Sequence, residues 1–189
     1  MVGDVATAQV GSRLITGEEL LAMGDIGPCE LIDGRIVPMV PTGAEHALIE
    51  MSLGGELRAY VASHGLGWVM GGEVGIYTQR DPDRIRAADI AFLSRRRSPN
   101  APGPGYLEMA PDLVVEIVSP SDSWQDVHRK IEEYFAIGVQ WLWVVEPDNR
   151  AVRVYRSPAD VGRLAEDDVL RGEGMLEGFE VSVREIFPS

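Results

Sequence analysis

The segment Leu113–Ser119, LVVEIVS, constrains the fold more than any other stretch of this chain. Leu113, Val114, Val115, Ile117 and Val118 are apolar without alternation, as in a strand covered on both faces at the middle of a sheet. Such a strand needs helices on either side, which makes the chain a layered α/β protein. Glu116 interrupts the run. A carboxylate there is costly unless it is paired, hydrogen-bonded or bound to metal. An edge strand with Glu116 in water is the bland alternative, but the neighbours on its own face, Val114 and Val118, are both apolar.

The rest of the chain supplies the other layers. Thr16-Gly17-Glu18-Glu19 has the capping-box pattern and opens a short helix through Leu20, Leu21 and Met23. Cys29–Val40 reads as a hairpin about an Asp33-Gly34 turn. Ala47, Leu48, Met51, Leu57, Tyr60 and Val61 recur at helical spacing between Glu45 and Ser63. Two strands, Gly67–Met70 and Glu73–Thr78, precede a turn-rich Asp81–Arg84 loop and a strand Ala88–Ser94. Residues 95–111 hold four prolines and two glycines and form a long connection, a type of segment that is often functional. After Leu113–Ser119 come a helix from Ser123 to Ile137, stopped by Gly138, and a hairpin of Trp141–Glu146 with Ala151–Arg156. A weaker strand near Val169 and a VSVREIF segment close the chain. The predicted class is α/β, a mixed central β-sheet flanked by helices. The organisation is a flexible N-terminal arm, residues 1–14, and a single domain, 15–189.

Charge narrows the function. At −13 over 189 residues the average field repels nucleic acid, whose binding normally comes from Lys and Arg at the phosphates. A carboxylate site is itself acidic until metal binds, so the charge argues against a tight non-specific binder and not against a nuclease. Arg84, Arg86, Arg95, Arg96 and Arg97 form a local positive cluster that either faces phosphate or makes a solvated loop. Cys29 is the only cysteine, which removes intrachain disulfides and cysteine metal clusters and suits a reduced, cytoplasmic setting. No apolar run is long enough to span a bilayer. Phosphate loops, dinucleotide fingerprints, HExxH and GxSxG motifs are all missing.

Asp89 begins the second apolar strand. Beside Glu116 on a neighbouring strand it makes a two-carboxylate site suited to Mg²⁺, a hard cation that prefers oxygen. Lys130 falls within the inward stripe of the following helix, between Val127 and Tyr134. Its ammonium either snorkels to the rim or reaches the carboxylates, where it would orient water or stabilise developing charge. Glu30 and His46 are further candidates for a ligand or a proton-transfer group, each with an equally good structural explanation, and Glu73 is a weaker one. His64 and His128 read as surface residues, and the QWLWVV strand as core. Asp112 lies close to Glu116 in sequence, but four strand residues span about 13 Å at ~3.3 Å each. Two ligands of one Mg²⁺ need oxygens within about 4 Å of each other, so Asp112 cannot share an ion with Glu116 along a straight strand.

Taken in order, ELIDG, a helix begun by His46, the strand around Asp89, PDLVVEIVSPSD, a helix bearing Lys130 and Tyr134, and GVQWLWVVEPDNRAVRVY resemble one family. It is the Uma-type branch of restriction-endonuclease-like proteins in the PD-(D/E)XK nuclease superfamily. The resemblance covers residues 15–187 and is most specific over 111–155. It implies the restriction-endonuclease-like fold, Mg²⁺- or Mn²⁺-dependent phosphodiester hydrolysis of DNA, and often a homodimer. Asp89 matches the first acidic position and Glu116 the second; Ala88 stands where proline usually precedes the aspartate. Val118 stands where the motif lysine is expected, and Lys130 on the next helix is the matching position. The catalytic set implied is Asp89, Glu116 and Lys130, assisted by Glu30 or His46, with Asp89, Glu116 and the Ile117 carbonyl as metal ligands. The alternative is an inactive nucleic-acid-binding or protein-interaction module on the same fold.

Overall fold

The computed structural model describes residues 13–120 and 122–188. Residues 1–12, most of the expected arm, lie outside the described residues. Thr16 caps α1 (Gly17–Ala22) with both halves of the capping box in place. Strands β1 (Cys29–Ile32) and β2 (Arg35–Pro38) pair antiparallel. Asp33 and Gly34, at φ 50° and 72°, form the primed turn that suits strand twist. The long helix α2 (Ala44–Ser63) leads into β3 (Gly67–Gln79) and β4 (Arg84–Ser94). Next come β5 (Leu113–Ile117), α3 (Trp124–Ala136), β6 (Trp141–Glu146), β7 (Ala151–Ser157) and β8 (Asp160–Leu164). A small β9 (Val169–Arg171) and β10 (Glu180–Ser182) pair, with α4 (Val183–Ile186), ends the described chain.

Among the described residues, eight strands make one mixed sheet, β2-β1-β4-β5-β6-β7-β8, with β3 on the other side of β4. The β5–β6 pair is parallel, and α3 is the crossover between them. All five residues of β5 are buried, as a central strand requires. Its two faces pack differently. Leu113, Val115 and Ile117 join Ile49, Leu53 and Leu57 of α2 and the C-terminal Phe179 and Ile186 in one core layer. Val114 joins Val127, Ile131 and Tyr134 of α3 in the other.

Several elements differ from the sequence reading. The two strands expected over 67–78 are one, β3, interrupted by a bulge between Gly71 and Val74 where it faces Asp89. The bulge residues Gly72 and Glu73 take φ 82° and 61°, so Glu73 sits on a strained turn inside the strand and not at its entrance. β4 starts at Arg84, which places Asp89 in mid-strand. Leu48 and Met51, read as part of the α2 stripe, are exposed, whereas Ile49, Leu53, Leu57 and Val61 are buried. The helix is apolar on more than one side, so periodicity alone does not select the inward face. β8 was not expected; its DVGRL sequence is short and half-exposed. The long connection is not wholly irregular, because Leu107 exchanges backbone hydrogen bonds with Gly75 and Tyr77 and covers the outer edge of β3.

Candidate functional site

β3 occupies one edge of β4, and two different strands share the other. Ile85 pairs with Leu31 of β1, and Ile90–Phe92 pair with Val115–Leu113 of β5. Between these contacts, residues 86–89 have no strand beside them, and side chains complete the hydrogen bonding. Ala87 N donates to Glu30 Oε1 at 3.1 Å. The Ala87 carbonyl accepts from Lys130 Nζ at 3.4 Å. Asp89 Oδ2 accepts from Ile117 N at 2.6 Å, a carboxylate standing in for a ladder carbonyl. A cleft of about 490 Å³ opens at this fork, lined by His46, Glu73, Asp89, Glu116, Ile117 and Lys130 among others.

Glu116 points to the α3 side. Its Oε2 accepts from Lys130 Nζ at 2.8 Å and its Oε1 from Tyr134 Oη at 2.7 Å. Burial pushes the Glu116 pKa up to about 7; the Lys130 charge opposes that rise and the nearby Asp89 charge adds to it. Burial works to lower the Lys130 pKa, but the Glu116 and Glu30 carboxylates outweigh it and hold the ammonium charged. Burial first, then the Glu116 charge, keep Tyr134 protonated. Lys130 thus combines the two readings of its position. Its stem lies in the helix stripe, and its head, with Glu30 Oε1 at 3.6 Å, faces the carboxylates.

Asp89 is reached from the other helix. His46 Nε2, in the first turn of α2, lies 3.3 Å from Asp89 Oδ1. One turn on, Glu50 Oε1 accepts from Gly72 N of the bulge at 2.7 Å. Ligand atoms of His46, Glu50 and Asp89 lie within 4.8 Å of one another, a grouping able to hold a metal ion. Burial disfavours charged His46, but the Asp89 hydrogen bond and charge, with Glu50 and the Ile117 backbone behind them, raise its pKa overall. His46 Nδ1 is buried with no partner among the described residues.

The arginines divide: Arg95 and Arg96 are exposed in the turn after β4, as the solvated-loop reading expects, whereas Arg84, Arg86 and Arg97 pair with carboxylates. Arg86 is buried between Glu30, at 2.7 Å, and both oxygens of Glu133, at 2.6 and 2.9 Å. Arg84 joins Glu133 at 2.8 Å and Asp33 at 2.5 Å. Arg97 lies at the far end of β4, where it bonds buried Asp112 and the Ala110 and Gly138 carbonyls. Arg95 lies over the Trp68 ring. The cluster is dispersed because β4 runs through it, and eleven strand residues separate its ends by about 33 Å at ~3.3 Å each. Asp112 is at that far end too, its Oδ2 accepting from Ser94 N at 2.7 Å. Trp143 is core, and His64 and His128 are exposed.

Glu50, Glu133 and the Tyr134 hydroxyl were not singled out from the sequence. Glu50 had a legible signal, its i+4 spacing from His46. Glu133 had none, since its arginine partners are more than forty residues away.

The sequence matches the family model described as "Uma2: Putative restriction endonuclease" over residues 18–184. No curated protein matches it. Among solved structures, a crystal structure described as a putative nuclease belonging to DUF820 from Anabaena variabilis ATCC 29413 superposes with a TM-score of 0.77. The two are 22% identical, and the match covers 92% of this chain and 97% of the other. At that identity the likeness carries the fold.

Proposed function

The chain belongs to the Uma2 family of restriction-endonuclease-like proteins, and from that premise we propose that it hydrolyses phosphodiester bonds of DNA in the Asp89–Glu116 cleft with Mg²⁺ or Mn²⁺. The observation that carries the reading is the fork beside β4, where Asp89, Glu116 and Lys130 meet in one cleft. The residues fit a divalent cation. Carboxylate oxygens keep a lone pair after one hydrogen bond, Asp89 and Glu116 lie close enough to raise the Glu116 pKa, and His46 Nδ1 is an orphaned buried nitrogen. Asp89, Glu116 and the Ile117 carbonyl would hold the ion, with His46 and Glu50 beside Asp89. An ion there supplies charge neutralisation at a phosphate and acidifies the attacking water. The oxygen-rich set suits Mg²⁺ and Mn²⁺, and the imidazole tilts the choice toward Mn²⁺.

The remaining roles belong to side chains. Lys130 is kept charged by Glu116 and Glu30, so its ammonium orients water and stabilises the charge that develops on phosphate oxygen. Tyr134 fixes the orientation of Glu116. Glu30 positions Lys130 and the Ala87 backbone. Residues 15–189 act as one domain in a cytoplasmic setting, as a homodimer with one cleft in each copy. No helix among the described residues is long and apolar enough to cross a membrane.

Cleavage of plasmid and of single-stranded circular DNA in Mg²⁺ or Mn²⁺ tests the reading. Asp89→Ala and Glu116→Ala should each lower the rate on the order of a hundredfold or more. Equal residual activity in all three proteins would mean a contaminating nuclease. A second reading, the inactive module, has one observation in its favour: both Glu116 oxygens are already engaged by Lys130 and Tyr134. It expects no cleavage with any metal and no metal-dependent rise in melting temperature.

A further inference from the structure

A second cavity, of about 270 Å³, adjoins the cleft, and Gly43, His46, Ser119 and Pro120 line both. Its walls come from the start of α2, the β5–α3 connection and the turn after β6. It therefore lies past the carboxyl ends of two parallel strands, a usual place for ligands in α/β sheets. Trp124, in the first turn of α3, lines this cavity and is 43% exposed. Its ring is held rather than loose. The Arg153 guanidinium lies over it, 5.1 Å from the centroid, and Arg153 is itself held by Glu146, whose other oxygen accepts from Asn149 at 3.0 Å. The ring also meets that of His128, centroids 6.0 Å apart, and what these neighbours leave uncovered is an indole surface beside the cleft.

We propose that this cavity takes one unpaired nucleobase of the strand whose phosphodiester lies in the cleft, stacked on Trp124, so that single-stranded nucleic acid, which needs no base flipped out of a helix, is cut in preference to duplex. The inference rests on the phosphodiesterase reading. Two observations carry it. A base inside a duplex has its faces covered by its neighbours, so only an unpaired base can reach an indole in a cavity. Among the described residues lining the two cavities, Lys130 is the only Lys or Arg. With one cation among these lining residues, phosphate contacts contribute little there and the grip falls to base stacking. Asp148 and Glu45 also line the cavity. Carboxylates accept from exocyclic amino groups, which favours adenine, cytosine or guanine over thymine or uracil.

The experiment compares kcat/KM for a single-stranded oligonucleotide, the matched duplex and an abasic chain of the same length. The proteins are wild type, Trp124→Ala and Trp124→Phe. Wild type should prefer the base-bearing strand over the abasic chain by on the order of tenfold or more, as a stacked base implies. Trp124→Ala should lose that preference and Trp124→Phe should keep most of it. A general folding defect would lower both rates and leave the preference intact, which overturns the proposal, as does faster cutting of the duplex by wild type. Oligonucleotide binding in Ca²⁺, read by fluorescence anisotropy, separates this proposal from the reading beneath it. Trp124-dependent binding without cleavage supports the base cavity and sinks the hydrolytic assignment. Cleavage indifferent to Trp124 does the reverse.

Discussion

Glu116 is the residue on which the proposed chemistry turns, and its protonation sets a measurable stability profile. Burial lifts its pKa from 4.5 to about 7, against the pull of Lys130 and with the push of Asp89. The folded chain therefore holds this proton more tightly than the unfolded chain does. Its contribution to stability is complete below about pH 4.5 and is lost as pH rises through about 7. Metal-free protein should accordingly lose stability across that window, and Glu116→Gln should flatten the slope in denaturant melts run with a chelator. Divalent ions compete with the same proton. Mn²⁺ should thus raise the melting temperature more at about pH 8 than at about pH 6. Equal shifts at both would remove Glu116 from the ligand set. Glu116 was legible in the sequence because it broke an apolar run; Glu50 had only its i+4 spacing from His46, a weaker signal because acidic residues on helices are ordinary, and Glu133 had none.

At the scale of the element, α3 delivers Lys130 to the cleft, and its placement depends on charge as well as packing. Val127, Ile131 and Tyr134 set its inward face. Glu133 then pins the helix to β4 by accepting from Nε and Nη2 of Arg86, whose Nη1 donates to Glu30 of β1. Removing one partner of a buried pair leaves the other charged and uncompensated, at about 3–5 kcal/mol. Arg86→Ala should cost stability of that order in urea titrations and lower cleavage as well, because Glu30 and Lys130 lose their frame. Replacing both partners with apolar residues should restore much of the stability. A loss below about 1 kcal/mol for Arg86→Ala would mean that the network behaves like a surface pair. The sequence showed this arginine only as one member of a basic cluster. Strand direction decided its fate: the Arg84 and Arg86 end of β4 meets acidic partners on β1, α3 and the first hairpin turn, whereas Arg97 meets Asp112 at the other end.

The whole molecule carries −13, and Lys130 is the only Lys or Arg among the described residues lining its two central cavities. Each phosphate contacted by a cation steepens the salt dependence of binding by roughly 0.7–0.9 in log–log slope. Oligonucleotide affinity should therefore fall with a shallow slope, of order 1–2, and should improve on adding divalent ions. A slope near that of a protein making many phosphate contacts would place a basic surface elsewhere. Local patterning alone determined that this chain is a layered α/β protein with a central strand buried on both faces, because apolar periodicity and turn chemistry act within a few residues. Family motifs extended that reading to the fold and to Asp89, Glu116 and Lys130. Only the tertiary structure decided that β4 passes from β1 to β5 along one edge, leaving residues 86–89 to side chains. It alone decided that Arg84, Arg86 and Arg97 are paired and that Trp124 lines a cavity beside the cleft. Those facts depend on which distant segments meet, and no short-range pattern records that.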